Sequence, residues 1–375
     1  MKVFHINGNY VTTALHQIMI EHLDKFTENI VFCPISNGCV TTVNPNDNVV
    51  VSRCYSKIDR LLYFRKQRLL RQEIFKLCNV DDVDIIHAYT LLSDGGAAMW
   101  LSKRIGKPYV VAIRSTDIND FFKLKPYLIP YGVKIMEKAS AVFFLSDAYM
   151  NLMFDKFIPG KKKDSILRKS FVIPNGIDDF WLDNVYTCRD FEKIEETFSE
   201  KRINLLSVAQ ILKWKNIPAV QKAADILKIR GYDVHIDVVG KIKDEDEFNI
   251  VKAHNLTTCH EPRPKEDLVK FYRNNDIFVL PSHTETFGLV YAEAMTQSMP
   301  VIYTKGQGFD GQFPEGAVGY HCDDYNPETI ADAVEKIIGS YKTIAGNCVF
   351  HAEKFRWESI CQKYVEIYKS ILGEK

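Results

Sequence analysis

Two glutamates, Glu285 and Glu293, stand eight residues apart around a turn that leads from a strand into a helix. An ionised carboxylate accepts hydrogen bonds from two neighbouring hydroxyl groups, so one glutamate suits a sugar and the other suits a ribose diol. Gly288 lets the backbone approach a ligand closely. The N–H groups of Gly288, Leu289 and Val290 then point out of the helix start, which favours an anion such as phosphate. This pattern indicates a nucleotide-sugar site.

A strand and a helix must hold these residues. The apolar run Ile277 to Leu280 predicts a buried strand that Pro281 and Ser282 end, and an amphipathic helix is predicted from about Phe287. The two glutamates would therefore lie near the carboxyl end of a strand.

This segment resembles the donor-site motif of retaining glycosyltransferases of family 4, which have the GT-B fold. The flanking elements that share the register are Pro281-Ser282, Phe287-Gly288-Leu289-Val290, Glu293-Ala294-Met295 and Pro300-Val301-Ile302. The resemblance implies that Glu285 binds sugar hydroxyls beside the anomeric carbon and that Glu293 binds the ribose. It also implies that the amides of Phe287 to Val290 bind phosphate and sugar.

The family holds the donor diphosphate with an arginine and a lysine that follow an earlier strand. Lys215 matches that lysine, but Gln210 stands where the arginine is expected. A neutral hydrogen bond is weaker than a charge-assisted one, so Gln210 is expected to weaken the stabilisation of the leaving group without abolishing it. Lys213 is a candidate to compensate. The alternative is that both lysines are solvated loop residues.

Arg114 ends a predicted strand where the family usually has a histidine. A guanidinium stays protonated, so Arg114 cannot act as a base, but it can hold an anion. The anion would belong to the donor phosphate or to an acidic acceptor, and a salt bridge to Asp117 or Asp94 is the structural alternative. In the front-face mechanism that the family implies, the departing phosphate oxygen can accept the acceptor's proton, so the histidine is dispensable.

Two further loops would line the site. Gly8 follows the first strand, where a glycine-rich loop of the family approaches donor and acceptor, although a single glycine also fits an ordinary turn. The loop that contains Glu261 lies against the base in the family, where a glycine is usual. Two bases therefore stay possible for the donor nucleotide: uracil, which is favoured, and guanine.

Composition limits the class of protein. The 375 residues are too many for one ordinary core and predict two domains, and a hydrophobic content of 46% with 26% charged residues is typical of a soluble globular protein. There is no apolar run long enough for a membrane span or a signal peptide, so we expect a cytoplasmic protein. Nine scattered cysteines without a C-x-x-C pair predict reduced thiols. The histidines lack metal-ligand spacing, and we expect no metal or other cofactor.

Strand-like segments alternate with helix-like segments, among them those near Ala14 to Leu23, Gly95 to Ile105 and Ile217 to Ile229. This alternation predicts an α/β fold with parallel sheets. We expect the GT-B arrangement: two Rossmann-like domains whose sheets face an interdomain cleft that holds the site. Residues 1–177 would form the acceptor domain, completed by a terminal helix at about 355–375, which resembles the family's last helix. Residues 178–354 would form the donor domain.

The net charge is zero, but residues 1–174 carry +8 and the rest −8. The segment from Ser56 to Lys76 holds seven basic and two acidic residues. As one helix it would place Ile58, Leu62 and Leu69 towards the core. Its other face would carry Arg60, Phe64, Arg68, Arg71 and Phe75. Such a face suits an anionic membrane surface, and the alternative is a solvated helix.

The sequence thus predicts a cytoplasmic enzyme, peripheral on the inner face of the membrane, that moves a hexose from a nucleoside-diphosphate sugar to a glycan acceptor. UDP-sugar is favoured over GDP-sugar, the acceptor is expected to be lipid-linked, and no nucleic acid is expected as a partner. Two alternatives stay open, because Gln210 and Arg114 depart from the family pattern. One is a nucleotide-sugar-binding subunit of low activity, and the other is a GT-B sugar-nucleotide epimerase.

Overall fold

The computed structural model describes residues 1–39, 41 and 48–374, except for the side chain of Arg60. The chain forms two compact units. Unit 1 consists of Met1–Leu145, Tyr149–Gly176 and Trp357–Lys375, and unit 2 consists of Ser146–Ala148 and Ile177–Arg356.

Unit 1 contains a seven-stranded parallel sheet with the strand order β3-β2-β1-β4-β5-β6-β7. The strands are β1 (Lys2–Ile6), β2 (Glu28–Ser36), β3 (Val49–Tyr55), β4 (Ile85–Ala88), β5 (Tyr109–Ala112), β6 (Ala141–Phe144) and β7 (Ser170–Val172). The chain moves outward from β1 to β3 and then returns to the other side of β1 as β4. The carboxyl ends of β1 and β4 therefore frame the point where ligands of open α/β sheets bind.

Unit 2 contains a six-stranded parallel sheet with the strand order β10-β9-β8-β11-β12-β13. The strands are β8 (Arg202–Val208), β9 (Asp233–Val239), β10 (Thr257–His260), β11 (Ile277–Leu280), β12 (Val301–Thr304) and β13 (Gly319–Cys322). The order reverses between β8 and β11 in the same way. The predicted α/β class with two parallel sheets is confirmed.

Helices lie between most consecutive strands, as is usual for parallel pairing. In the first half of the chain they are α1 (Ala14–Leu23), α2 (Lys57–Leu61), α3 (Tyr63–Leu77), α4 (Gly95–Ile105), α5 (Ile129–Lys138), α6 (Asp147–Lys156) and α7 (Gly160–Leu167). In the second half they are α8 (Asp179–Asp183), α9 (Phe191–Ser199), α10 (Ile217–Ile229), α11 (Glu245–Ala253), α12 (Lys265–Asn274), α13 (Leu289–Thr296), α14 (Pro327–Ile338), α15 (Tyr341–Ala352) and α16 (Trp357–Leu372). Within the described part of the chain, none of the helices combines the length and apolarity that crossing a bilayer requires.

The sheet of unit 1 has an apolar core on each face, because successive side chains of a strand point to opposite sides. Val111 of β5 belongs to the cluster that contains Leu70 of α3. Its neighbour Val110 belongs to the cluster that contains Met19 of α1 and Tyr364 of α16. The last helix of the chain therefore completes unit 1 by covering one face of its sheet.

The segment from Ser56 to Lys76 is not the single helix that the sequence predicts. Ser56 caps α2 by accepting a hydrogen bond from the amide of Asp59, and the chain breaks at Leu62 before α3 begins. Ile58 and Leu62, predicted to face the core, are 66% and 49% exposed. Phe64 and Phe75 are exposed as predicted.

Hydrogen bonds of two polar side chains explain why α3 buries a different face from the one predicted. The hydroxyl of Tyr63 donates to the carbonyl of Leu92 at 2.9 Å, and the amide of Gln67 donates to the carbonyls of Leu92 and Ser93 at 3.0 Å. Tyr63 and Gln67 are therefore buried together with the apolar residues of α3. Their hydrogen bonds to the loop after β4 offset the cost of burying polar atoms, and this cannot be read from hydrophobic spacing.

Candidate functional site

The predicted donor-site residues of unit 2 lie on loops that leave two neighbouring strands. β8 pairs with β11, and the loops after both strands start at the same edge of the sheet. Lys215 follows β8 and Glu285 follows β11. The strand order reverses at this pair, so the two loops frame the ligand position of an open α/β sheet.

Lys215 and Glu285 form an ion pair. The ammonium of Lys215 lies 2.5 Å from Oε2 of Glu285, and the side chains are 19% and 11% exposed. Ser282 Oγ lies 3.4 Å from the same carboxylate oxygen. The structure thus brings together the cation predicted for a diphosphate and the carboxylate predicted for a sugar, 70 residues apart in the chain.

A short helical turn positions Lys215. Lys213–Lys215 form one turn of 3-10 helix, and Asn216 ends it in the left-handed conformation with φ of 56°. The side-chain amide of Asn216 donates to the carbonyls of Pro281 and Asp324 at 3.0 and 2.7 Å. These bonds tie the Lys215 turn to the loop that carries Glu285.

The Glu285 loop is held from its other side by the loop after β12. The amide of Glu285 donates to Oε1 of Gln307 at 2.9 Å, and the amide of Gly308 donates to the carbonyl of Glu285 at 3.0 Å. A Cβ atom at Gly308 would lie 2.0 Å from the carbonyl oxygen of Thr286, so only glycine permits this approach. Both backbone groups of Glu285 are therefore fixed.

Helix α13 begins directly after this loop. Gly288 caps it with φ of 76°, and no side chain of the described residues caps its first turn by a hydrogen bond. The first-turn amides of Leu289 and Val290 therefore present the positive end of the helix dipole, which favours an anion. The side chain of Phe287 is buried against Phe355, so only its backbone can contribute to a site.

Glu293 lies in the second turn of α13. The hydroxyl of Tyr272 donates to its Oε2 at 3.2 Å. Burial raises the pKa of Glu293 to about 7, and the Asp178 carboxylate adds to this rise, whereas the hydrogen bond from Tyr272 opposes it. This carboxyl group therefore changes charge near neutral pH.

Gln210 lies at the same edge, two residues beyond the end of β8, and is exposed. Lys213, the candidate to compensate for the missing arginine, is also exposed. Glu261 is exposed in the loop after β10. The roles predicted for these three residues stay predictions.

Two predicted residues, Arg114 and Gly8, lie in unit 1. Arg114 is buried after β5, where its Nε donates to the carbonyl of Tyr89 at 3.1 Å and its Nη1 donates to Asn175 Oδ1 at 3.2 Å. Asp117 accepts a hydrogen bond from the backbone amide of Arg114 at 2.9 Å. Hydrogen bonds to a carbonyl and an amide thus hold the guanidinium in place.

Gly8 follows β1 and borders a cavity of about 390 Å³ in unit 1. Thr90, Ser93 and Asp94, which follow β4, line it as well, so the cavity lies where the strand order of this sheet reverses. Tyr55, Tyr63 and Phe121 also line it, as do the charged residues Lys66, Asp120 and Lys125. A hollow with aromatic walls and charged groups suits a hydroxyl-bearing ring.

Sequence reasoning missed the importance of Asp94. Its Oδ2 accepts a hydrogen bond from the hydroxyl of Thr90 at 2.8 Å, and burial raises its pKa to about 7. Sequence reasoning also missed Gln307, which holds the Glu285 loop. The sequence did contain a signal for each residue: Asp94 precedes a glycine pair after a strand, and Gln307 stands between two glycines after another strand.

Among the described residues, no three His, Cys, Asp or Glu side chains form a group suited to a metal ion. That no metal or cofactor is needed stays a prediction.

Residues 189–345, all in unit 2, match the family model described as glycosyl transferases group 1. The chain is 27% identical over 181 residues to D-inositol 3-phosphate glycosyltransferase of Paenarthrobacter aurescens, covering 45% of this chain and 44% of that protein. It is also 27% identical over 301 residues to the capsular polysaccharide biosynthesis glycosyltransferase CapM of Staphylococcus aureus, covering 75% and 74%. The chain thus spans less than half of the first relative and about three quarters of the second.

Solved structures share the fold along the whole chain. Sucrose-phosphate synthase from Thermosynechococcus elongatus superposes with a TM-score of 0.73 at 16% identity, covering 100% of this chain and 99% of that one. Anabaena Alr3699/HepE in complex with UDP superposes with a TM-score of 0.71 at 16% identity, covering 99% and 100%. These neighbours show that the fold is GT-B.

Proposed function

We propose that this protein is a retaining glycosyltransferase of family 4 that moves a hexose from a nucleoside-diphosphate sugar to a sugar hydroxyl. The observation that carries the proposal is the Lys215–Glu285 pair at the start of α13, 2.5 Å apart at the switch point of the unit 2 sheet. The family match over residues 189–345, which includes both residues, supports it.

Each group of the site has a task in this proposal. Lys215 and the first-turn amides of α13 bind the diphosphate, because they provide positive potential where the leaving group gains negative charge. Glu285 accepts hydrogen bonds from the hexose hydroxyls beside the anomeric carbon. Glu293 accepts hydrogen bonds from the ribose hydroxyls. No metal is required, since these groups already supply the positive potential.

UDP-sugar is the favoured donor. Anabaena Alr3699/HepE, which shares the fold, was solved with UDP and with UDP-glucose, and an E. coli trehalose-6-phosphate protein was solved with UDP-2-fluoro glucose. GDP-sugar is the alternative, because the loop that contains Glu261 departs from the family pattern. Gln210 lowers the positive charge against the diphosphate in either case.

The cavity of unit 1 is the proposed acceptor site. Its volume of about 390 Å³ accommodates one or two sugar rings, which pack their C–H faces on aromatic side chains and donate hydroxyl hydrogen bonds to carboxylates. Asp94 and Asp120 are the carboxylates of this cavity. An epimerase needs no acceptor pocket, so the cavity favours transfer over epimerisation. Arg114 is proposed to hold an anion of the donor or the acceptor.

Binding and turnover assays test the proposal. Thermal-shift titrations with UDP-, GDP- and ADP-hexoses identify the donor, and release of the nucleoside diphosphate is then followed with and without sugar acceptors. Release that depends on an acceptor supports transfer. Conversion of the donor sugar without any acceptor favours the epimerase, and tight binding with neither transfer nor hydrolysis favours the binding subunit.

A further inference from the structure

Exposed apolar side chains collect on one part of unit 1. They lie on α2, at the start of α3 and in the segment between residues 124 and 127, and their exposed fractions run from 49% to 72%. The six residues are Ile58, Leu61, Leu62, Phe64, Leu124 and Tyr127. We call them the apolar rim.

The rim borders the unit 1 cavity through Leu124 and through the start of α3. Leu124 lines the cavity although 72% of it is exposed, so it stands at the opening. Tyr63 and Lys66 of α3 line the same cavity, one residue after Leu62 and two residues after Phe64. The ring centroids of Tyr63 and Phe121 lie 6.4 Å apart, which links α3 to the segment that carries Leu124.

A basic hollow continues this surface along α3. Arg68, Arg71, Gln72 and Phe75 of α3 line it with Trp100 and Arg104 of α4, and its volume is about 530 Å³. The guanidinium of Arg71 lies over the Trp100 ring at 5.6 Å. The three arginines of its wall make this hollow suited to phosphate groups.

We propose that the apolar rim and the basic hollow dock unit 1 on an anionic lipid bilayer and deliver a lipid-linked acceptor to the cavity. Apolar side chains enter the interface between headgroups and acyl chains, while the arginines bind anionic headgroups. The choice of acceptor rests on the proposed function, whereas the docking does not. The predicted Arg/Phe face thus extends to Ile58, Leu61 and Leu62, while the Arg60 side chain lies outside the described residues.

The positive charge of this surface favours an anionic bilayer, and not a second copy of the chain, as its binding partner. The surface combines an apolar rim with arginines in the half of the chain that carries +8. Two such surfaces facing each other would bring like charges together, whereas an anionic bilayer complements them.

Vesicle sedimentation tests the docking. The native protein is mixed at low salt with vesicles of phosphatidylcholine alone, or of phosphatidylcholine and phosphatidylglycerol in equal parts. We expect binding to the anionic vesicles that weakens at high salt. Each Lys or Arg near such a surface contributes about 1 kcal/mol, or about fivefold in affinity.

Two test variants and one control variant complete the experiment. Replacing Leu61, Phe64 and Leu124 of the rim by Ser, or Arg68 and Arg104 of the hollow by Gln, should each weaken binding at least about tenfold. Replacing Ile229 and Phe350 of unit 2 by Ser, which are 87% and 77% exposed, should leave binding unchanged. UDP titration of the same variants reports on the donor site separately, so failed docking and a failed function are distinguishable.

Native protein that stays in the supernatant with anionic vesicles at low salt would overturn the proposal. Equal binding of the native, rim and hollow proteins would do the same. If analytical ultracentrifugation instead shows a dimer that the rim variant abolishes, the surface belongs to a second copy of the chain.

Discussion

The ammonium of Lys215 and the carboxylate of Glu285 lie 2.5 Å apart, so each charge compensates the other as long as no diphosphate is bound. Both side chains are largely buried, and removing one partner leaves the other charge poorly compensated. A diphosphate that binds Lys215 must therefore compete with Glu285 or share the ammonium with it. This coupling means that the two residues have to be tested together as well as singly.

Glu285 and Glu293 should differ in which ligands they affect. Glu293→Ala should weaken binding of both the sugar nucleotide and the free nucleoside diphosphate, because its proposed partner, the ribose, is common to both. Glu285→Ala should spare the free diphosphate and reduce transfer, since its proposed partner is the sugar and its loss releases Lys215. Calorimetry separates the two cases, and equal losses of free-diphosphate affinity in both variants would contradict these roles.

Gln210→Arg should strengthen diphosphate binding. A hydrogen bond from a charged donor exceeds a neutral one by about 0.5–2 kcal/mol, and Gln210 is exposed at the edge of the sheet, where a longer side chain has room. Calorimetric titration of UDP into both proteins measures the difference. Weaker binding in the variant would mean that this position does not correspond to the family's arginine.

UDP affinity should fall as the pH is lowered from about 8 to about 6. The pKa of Glu293 is raised to about 7 by burial, so the carboxylate that accepts the ribose hydroxyls is lost through protonation in this range. Glu293→Gln removes that titration and serves as the control for protonation of UDP itself. An identical pH dependence in both proteins would show that Glu293 does not bind the ribose.

The contribution of His5 and His16 to the free energy of unfolding should decrease as the pH falls below about 6.5, the value for an unfolded histidine, whereas Asp94 and Glu293, whose pKa values are raised to about 7, contribute in the opposite direction. Burial lowers the pKa of His5 to about 4 and that of His16 to about 3, so the unfolded chain binds protons that the folded protein excludes. Each group then costs about 1.4 kcal/mol per pH unit until its folded pKa is reached.

Urea unfolding at about pH 7.5 and about pH 5 gives the change in the free energy of unfolding between these two conditions, and the difference between a variant and the native protein isolates one histidine. His16→Gln should make this change more favourable to the folded protein at about pH 5, whereas His235→Gln, at a side chain that is 45% exposed, should leave it unchanged. No difference between the native and His16→Gln slopes would refute the assignment.

Hydrophobic spacing predicted many elements of the fold. Ala14–Leu23, Gly95–Ile105, Ile217–Ile229 and Ile277–Leu280 have the predicted bounds, because each shows a clear apolar period between turn residues. The buried face of α3 was not predictable in this way. Tyr63 and Gln67 turn inward because their polar atoms bind backbone carbonyls of the loop after β4, which only the tertiary structure supplies.

The sequence predicted which residues belong to the candidate donor site, but not the contacts between them. The resemblance singled out Lys215 and Glu285 but assigned them to different parts of the donor. Their ion pair depends on the pairing of β8 with β11 and on the Asn216 side chain, which bridges the loops that follow the two strands. Such long-range register is set by strand order, which local sequence does not encode.

Calorimetric titration of UDP into the native protein, Lys215→Ala, Glu285→Ala and the double variant tests the donor site most directly. Lys228→Ala is the control, since it removes an exposed lysine from the last turn of α10. We predict that the native protein and Lys228→Ala bind UDP alike and that Lys215→Ala loses about 1.5–3 kcal/mol, the contribution of a hydrogen bond to a charged group. The double variant should lose less than Lys215→Ala, because the uncompensated carboxylate is gone. Native-like UDP binding by Lys215→Ala, or no binding of UDP, GDP or ADP by the native protein, would contradict the proposed donor site.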